Sequence, residues 1–263
     1  MPYAAVNGIE LHYRIDGDRH GSAPWLVLSN SLGSDMSMWT PQVAGLSKHF
    51  RVLRYDTRGH GHSEAPKGPY TIDQLAGDVL GLLDTLKIAR THYCGISMGG
   101  LTGIALAARH SDRIERIVLA NTAARIGSPE VWVPRAARAR SEGMLALSEV
   151  VLPRWFTASF LAREPIVFAF IRDVFAHTDK EAYASNCEAI DATDLRPEAP
   201  GIKTPTLVIS GTHDLAATPA QGRELAAAIP GARYVELDAA HISNIELADT
   251  FTKTVLDFLK EQR

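Results

Sequence analysis

The sequence predicts an α/β protein built on a mostly parallel sheet, and three patterns carry that expectation. Short continuous apolar runs recur at 25–29, 51–55, 92–96, 114–120, 206–210 and 234–237, as in strands buried on both faces. Most of the segments between these runs are long enough for helices, and that alternation builds parallel sheets flanked by helices. The N-terminal stretch alternates instead, at 4–6 and 9–15 around Asn7-Gly8, which is a strong hairpin signal. The hairpin pair and the six runs together give an eight-stranded sheet.

The helices follow in order. Thr71-Ile72-Asp73-Gln74 fits a capping box, in which the Thr71 hydroxyl and Gln74 amide satisfy the first free N–H groups. That helix continues through Leu75, Val79, Leu82, Leu83 and Leu86 along one face. Segments 98–110 and 217–228 read as helices, and 245–260 reads as one long closing amphipathic helix. Residues 125–190 break the pattern: they hold no convincing strand but carry Trp132, Trp155, Phe156, Phe160, Phe168 and Phe170. Such apolar content argues against a disordered loop. The expectation is a helical cap insertion at 125–190, with 1–124 and 191–263 forming the core.

Composition narrows the class. The 263 residues are 46% apolar and 22% charged, which argues against disorder and suits one core. Lys and Arg number 27 against 30 Asp and Glu, for a net charge of −3. With no basic run, the footprint of a nucleic-acid binder is missing. The N-terminus shows no basic region followed by an apolar one, and no apolar stretch reaches membrane-spanning length. Cys94 and Cys187 form neither a metal spacing nor a disulfide framework. A cytoplasmic protein without cofactor, metal, nucleic-acid or membrane partner is expected, as a monomer or small homo-oligomer.

The sharpest chemical signal is Gly95-Ile96-Ser97-Met98-Gly99, between a strand-like run and a helix-like one. Gly-x-Ser-x-Gly in that setting is a nucleophile elbow, a turn so tight that both flanking positions lack room for a side chain. A serine hydroxyl needs a base, and the base needs an orienting carboxylate. Asp214 follows the run at 206–210 and His241 follows the run at 234–237. Ser97, Asp214 and His241 therefore all fall just past strand ends, in the order nucleophile, acid, base. His213 is a weaker candidate for the base, and Asp191, Asp194 or Asp238 could stand in as the acid. Oxyanion donors are expected from the Met98 amide and from the Leu32 amide, in the loop Asn30-Ser31-Leu32-Gly33. His60-x-His62 could suggest a metal pair, but no further ligands are evident at suitable spacing, and a loop role near the rim of the site is the simpler reading.

With these residues in view, the sequence resembles the α/β-hydrolase superfamily along essentially its whole length. The block Asp56-Thr57-Arg58-Gly59-His60-Gly61-His62-Ser63 is similar to a segment of many members. Where most relatives carry His-Gly in the oxyanion loop, this chain has Asn30-Ser31-Leu32-Gly33. Residues 28–33 followed by Trp39, together with Trp132-x-x-Arg135 and Arg154-Trp155-Phe156, look like the 3-oxoadipate enol-lactonases. The resemblance implies opening of a small anionic enol-lactone to 3-oxoadipate in the catabolism of aromatic compounds. It also implies cap residues that bind substrate, among them Trp132, Trp155 and Arg135; Arg138 and Arg140 are further cations for the substrate carboxylate. Alternatives are a carboxylesterase or another lactonase acting on a neutral ester, a carbon–carbon bond hydrolase of ring-cleavage products, and a slow-turnover ligand receptor.

Overall fold

The computed structural model describes residues 2–18 and 21–261. The eight strands are β1 Tyr3–Val6, β2 Ile9–Asp16, β3 Trp25–Ser29, β4 Arg51–Tyr55, β5 Thr91–Ile96, β6 Ile114–Ala120, β7 Thr206–Gly211 and β8 Arg233–Leu237. They form one sheet in the order β1-β2-β4-β3-β5-β6-β7-β8. The hairpin β1–β2 and the β2–β4 pair are antiparallel, and every later pairing is parallel. At the hairpin turn Asn7 and Gly8 both take positive φ, 49° and 80°, as a two-residue hairpin turn requires. β5 and β7 are buried along their whole length, including the polar Thr91, His92, Thr206 and Ser210.

The helices are α1 Thr40–Leu46, α2 Ile72–Thr85, α3 Met98–Arg109, α4 Pro129–Val151, α5 Ala158–Arg163, α6 Pro165–Ala176, α7 Lys180–Asp191, α8 Pro219–Ala228, α9 Ser243–Glu246 and α10 Ala248–Leu259. α3 packs on β5 and β6, and α8 on β7 and β8, whereas α1 and α10 pack on each other. Thr71 caps α2 by accepting the Gln74 N–H, so the expected helix start is present. A full reciprocal capping box occurs instead at Thr218 and Gln221, opening α8.

Two helices are less regular than their sequences suggest. The expected single helix over 245–260 is divided at Leu247, whose φ and ψ of −126° and 55° leave the helical region. The short α9 is held by buried polar bonds: Ser243 Oγ donates to Asn121 Oδ1 at 2.6 Å, and Asn244 Nδ2 to the Met38 carbonyl at 2.8 Å. Those anchors fix its direction independently of α10. α4 is likewise broken at Gly143, where φ is 83°.

Between β6 and β7 the described residues form helices α4 to α7 and no strand. α4 packs on α7 and α6, and its aromatic and aliphatic side chains join the same apolar core as the sheet. Among the described residues no helix is long and apolar enough to cross a membrane.

Candidate active site

The turn from β5 into α3 sets the position of Ser97. Its φ of 55° and ψ of −114° are unusual for a residue with a side chain. A Cβ at Gly95 would collide with the Gly99 carbonyl, and one at Gly99 with the Ser29 carbonyl, so both positions demand glycine. The strained turn is tied down on each side. Ser97 N–H donates to the Ala120 carbonyl at 3.0 Å, Thr122 Oγ1 donates to the Ser97 carbonyl at 2.9 Å, and Gly99 N–H donates to the Asn30 carbonyl at 3.0 Å.

Asp214 follows β7 and His241 follows β8, both buried. His241 Nδ1 lies 2.8 Å from Asp214 Oδ2. The other carboxylate oxygen accepts the Ala216 and Ala217 N–H groups at 2.8 and 3.0 Å, while Asn121 Nδ2 donates to Oδ2 at 3.1 Å. Burial, the largest influence, pushes the Asp214 carboxyl upward. The His241 charge and these hydrogen bonds outweigh it, leaving the group below the usual carboxylate range. A carboxylate held ionised there fixes one ring nitrogen of His241 as a donor and frees the other to accept a proton.

Ser97 and His241 line one small cavity, together with Leu32, Trp132, Arg135, Arg154, Trp155 and Tyr183. Neither the Leu32 nor the Met98 amide donates a hydrogen bond to another described residue. Free buried amides beside a serine hydroxyl are the kind of donors that suit a developing oxyanion. Two of the competing acids and the competing base are engaged elsewhere: Asp238 pairs with His213 at 2.8 Å on the surface, and Asp194 pairs with Arg196.

An α/β-hydrolase-fold family model matches residues 24–142. The chain is 41% identical over 252 residues to 3-oxoadipate enol-lactonase 2 of Acinetobacter baylyi, covering 96% of this chain and 94% of that one. The chain belongs to the 3-oxoadipate enol-lactonase family of α/β hydrolases. The crystal structure of the enol-lactonase from Burkholderia xenovorans is 82% identical, covering 99% of this chain and 100% of that one at a TM-score of 0.98. A thermophilic esterase from Thermogutta terrifontis, solved with malate bound, superimposes at a TM-score of 0.91 with 28% identity, covering 98% and 97% of the two chains.

Within this enol-lactonase-family fold, the arginines of α4 are sorted by their partners. Arg138 pairs with Glu142, and Arg140 with Glu181 and Glu188. Arg135 has no carboxylate partner among the described residues and lies with its Cζ 4.7 Å from the centre of the Trp132 ring. Trp132 commits its indole N–H to the Ile126 carbonyl at 2.6 Å, so it contributes a wall rather than a donor. Tyr183, on which the sequence gives no signal, brings a buried hydroxyl without a hydrogen-bond acceptor or donor at bonding geometry among the described residues. Burial pushes that hydroxyl far above its ordinary range, against the pull of the Arg135 charge, so it stays a protonated donor. Arg154 is a second cation at the cavity, its Nη2 donating to the Leu215 carbonyl at 3.0 Å.

The motif block after β4 holds the loop that carries Leu32 and Gly33. Asp56 accepts the Met36 and His62 amides at 2.8 and 3.0 Å and sits 2.7 Å from His12 Nδ1. Arg58 makes a buried bidentate pair with Asp78, the kind whose rupture costs about 3–5 kcal/mol. His60 Nε2 accepts the Gly33 N–H at 2.9 Å, and His60 Nδ1 lies 3.2 Å from the Arg58 carbonyl. His60 therefore holds the residue next to Leu32, a use of this histidine that differs from a metal pair with His62.

That arrangement has a pH consequence. Burial lowers the His60 imidazole to about 4, with the Arg58 carbonyl and Asp56 opposing it more weakly. The folded pKa lies below the unfolded value near 6.5. Its stabilising contribution is thus full above about pH 6.5 and is lost as pH falls toward 4. Urea unfolding at pH 7 and pH 5 is expected to show about 2 kcal/mol of stability loss from this one proton. His60→Gln, which keeps an acceptor for Gly33, should remove most of that difference. An unchanged difference would show that the acid sensitivity originates elsewhere, for instance at His92, also lowered by burial.

Proposed function

We propose that the chain hydrolyses 3-oxoadipate enol-lactone to 3-oxoadipate in the cytoplasm by covalent catalysis at Ser97. One observation carries the reading: a single cavity holds Ser97 and His241 together with the buried Tyr183 hydroxyl and Arg135, which has no carboxylate partner among the described residues. The first pair suits acyl transfer, and the second suits the free carboxylate of an anionic lactone. An apolar pocket would reject that carboxylate without a cation.

In this reading the steps are as follows. The Ser97 hydroxyl proton passes to His241 Nε2 as Oγ attacks the lactone carbonyl carbon. The negative oxygen then meets the Leu32 and Met98 amides, and Asp214 stabilises the imidazolium. Collapse breaks the ring ester bond, and the enol oxygen leaves with the proton from His241. Tautomerisation to the ketone removes the nucleophile that could close the ring again. Water, deprotonated by His241, attacks the acyl-enzyme and releases 3-oxoadipate. Residues 125–190 serve in this reading as a cap that supplies the carboxylate-binding groups.

Arg135→Ala tests the anion site. Removing a charge-assisted hydrogen bond is expected to lower kcat/KM for the enol-lactone about 10- to 100-fold. Turnover of p-nitrophenyl acetate, which has no carboxylate, should change less than about threefold. Equal losses on both substrates would remove Arg135 from carboxylate binding and favour a neutral ester as the substrate.

A further inference from the structure

Beside the cavity at Ser97 lies a second, larger one. The first has a volume of about 30 Å³ and the second about 250 Å³. The second is walled by apolar groups, among them Met38, Val167, Ile171, Val174 and Ile245. The two cavities are neighbours across a thin wall. Leu32 lines the first and Gly33 the second, His241 lines the first and Ile242 the second, and Trp155 lines both. Trp155 is 5% exposed, and its ring centre lies 6.4 Å from that of the His241 ring and 5.8 Å from that of Phe175. Its backbone is fixed as well, since the Trp155 carbonyl accepts the Ile242 N–H at 3.0 Å.

We infer that Trp155 is a specificity-determining partition, whose indole closes the reactive pocket off from an apolar chamber shaped for an aliphatic chain. The inference rests on the ester-hydrolase reading above. A compact lactone needs only the side chains of the small pocket to yield, whereas a long alkyl chain needs the wall removed. The chamber lacks any charged lining side chain except Asp35, so its occupant is a hydrocarbon chain rather than a second carboxylate. Opening the wall would extend the acyl pocket from Ser97 into this chamber and admit medium-chain acyl esters.

The experiment compares p-nitrophenyl acetate with p-nitrophenyl octanoate for the wild type and for Trp155→Ala. Each methylene buried is worth about fourfold in binding, so the octanoate-to-acetate ratio of kcat/KM should rise at least about 100-fold in the variant. Trp155→Leu, which keeps apolar contact with Phe175, provides a second test should the alanine variant not fold, and its ratio should also rise. Adding Ile171→Trp to either variant refills the chamber and should return the ratio toward that of the wild type. A ratio that stays at the wild-type value in the folded variant, or a wild type that already favours octanoate, overturns the partition. A wild type inert toward the enol-lactone and both esters overturns the ester-hydrolase reading itself, and the partition with it.

Discussion

Ser97→Ala is expected to lower kcat on 3-oxoadipate enol-lactone by about 10⁴- to 10⁶-fold, the scale seen when a serine nucleophile is removed. The fold should be unaffected, because the hydroxyl makes no hydrogen bond to another described residue and the elbow is held by backbone groups and Thr122. Rate measurement on pure protein, together with thermal unfolding, checks both halves. Residual turnover within about tenfold of the wild type would place the nucleophile elsewhere. Ser97→Gly adds an independent reading of the same turn. Its φ of 55° is strained for serine but open to glycine, so this variant should be inactive yet more stable by about 1 kcal/mol. A gain in stability with loss of activity is the signature of a turn whose strain serves the reaction.

The second large effect belongs to Asp214→Asn. The amide keeps an oxygen for the Ala216 and Ala217 N–H groups, but an amide nitrogen in place of Oδ2 would face His241 Nδ1 and the Asn121 Nδ2–H. His241 would then be held in the wrong tautomer, and kcat should fall about 10³- to 10⁴-fold. Two donors set against each other in a buried site should also cost about 1–3 kcal/mol of stability. Steady-state kinetics and urea unfolding measure the two losses separately. Loss of stability with kcat intact would make Asp214 a structural residue only.

The sequence was most legible where one local pattern determines one local structure. The six apolar runs and the alternating hairpin pair became eight strands, because inner strands such as β5 and β7 are covered on both faces whereas β1 buries every second residue, and the elbow glycines announced a turn with no space for side chains. Chain order placed Asp214 and His241 at strand ends, where the fold brings distant loops together. The supporting residues were not legible because their roles exist only in three dimensions. His60 reaches Gly33 across two loops, and Tyr183 comes to Arg135 from a different helix of the insert. Asn121 sits one residue past β6 and bonds Asp214, the Ala240 carbonyl and Ser243 at once. Its place at a strand end was the one available signal. The break at Leu247 was hidden for a related reason: the amphipathic pattern runs through it, while the buried bonds of Ser243 and Asn244 set the local direction.

The proposed reaction depends first on proton transfer between Ser97 and His241. Labelling with a p-nitrophenyl alkylphosphonate tests it directly, because phosphonylation stops after the first half of the reaction. One p-nitrophenolate per chain should be released, the label should map to the peptide bearing Ser97, and His241→Ala should slow release by at least about 10³-fold. Label on another residue, or equal release rates with and without the imidazole, would contradict the account.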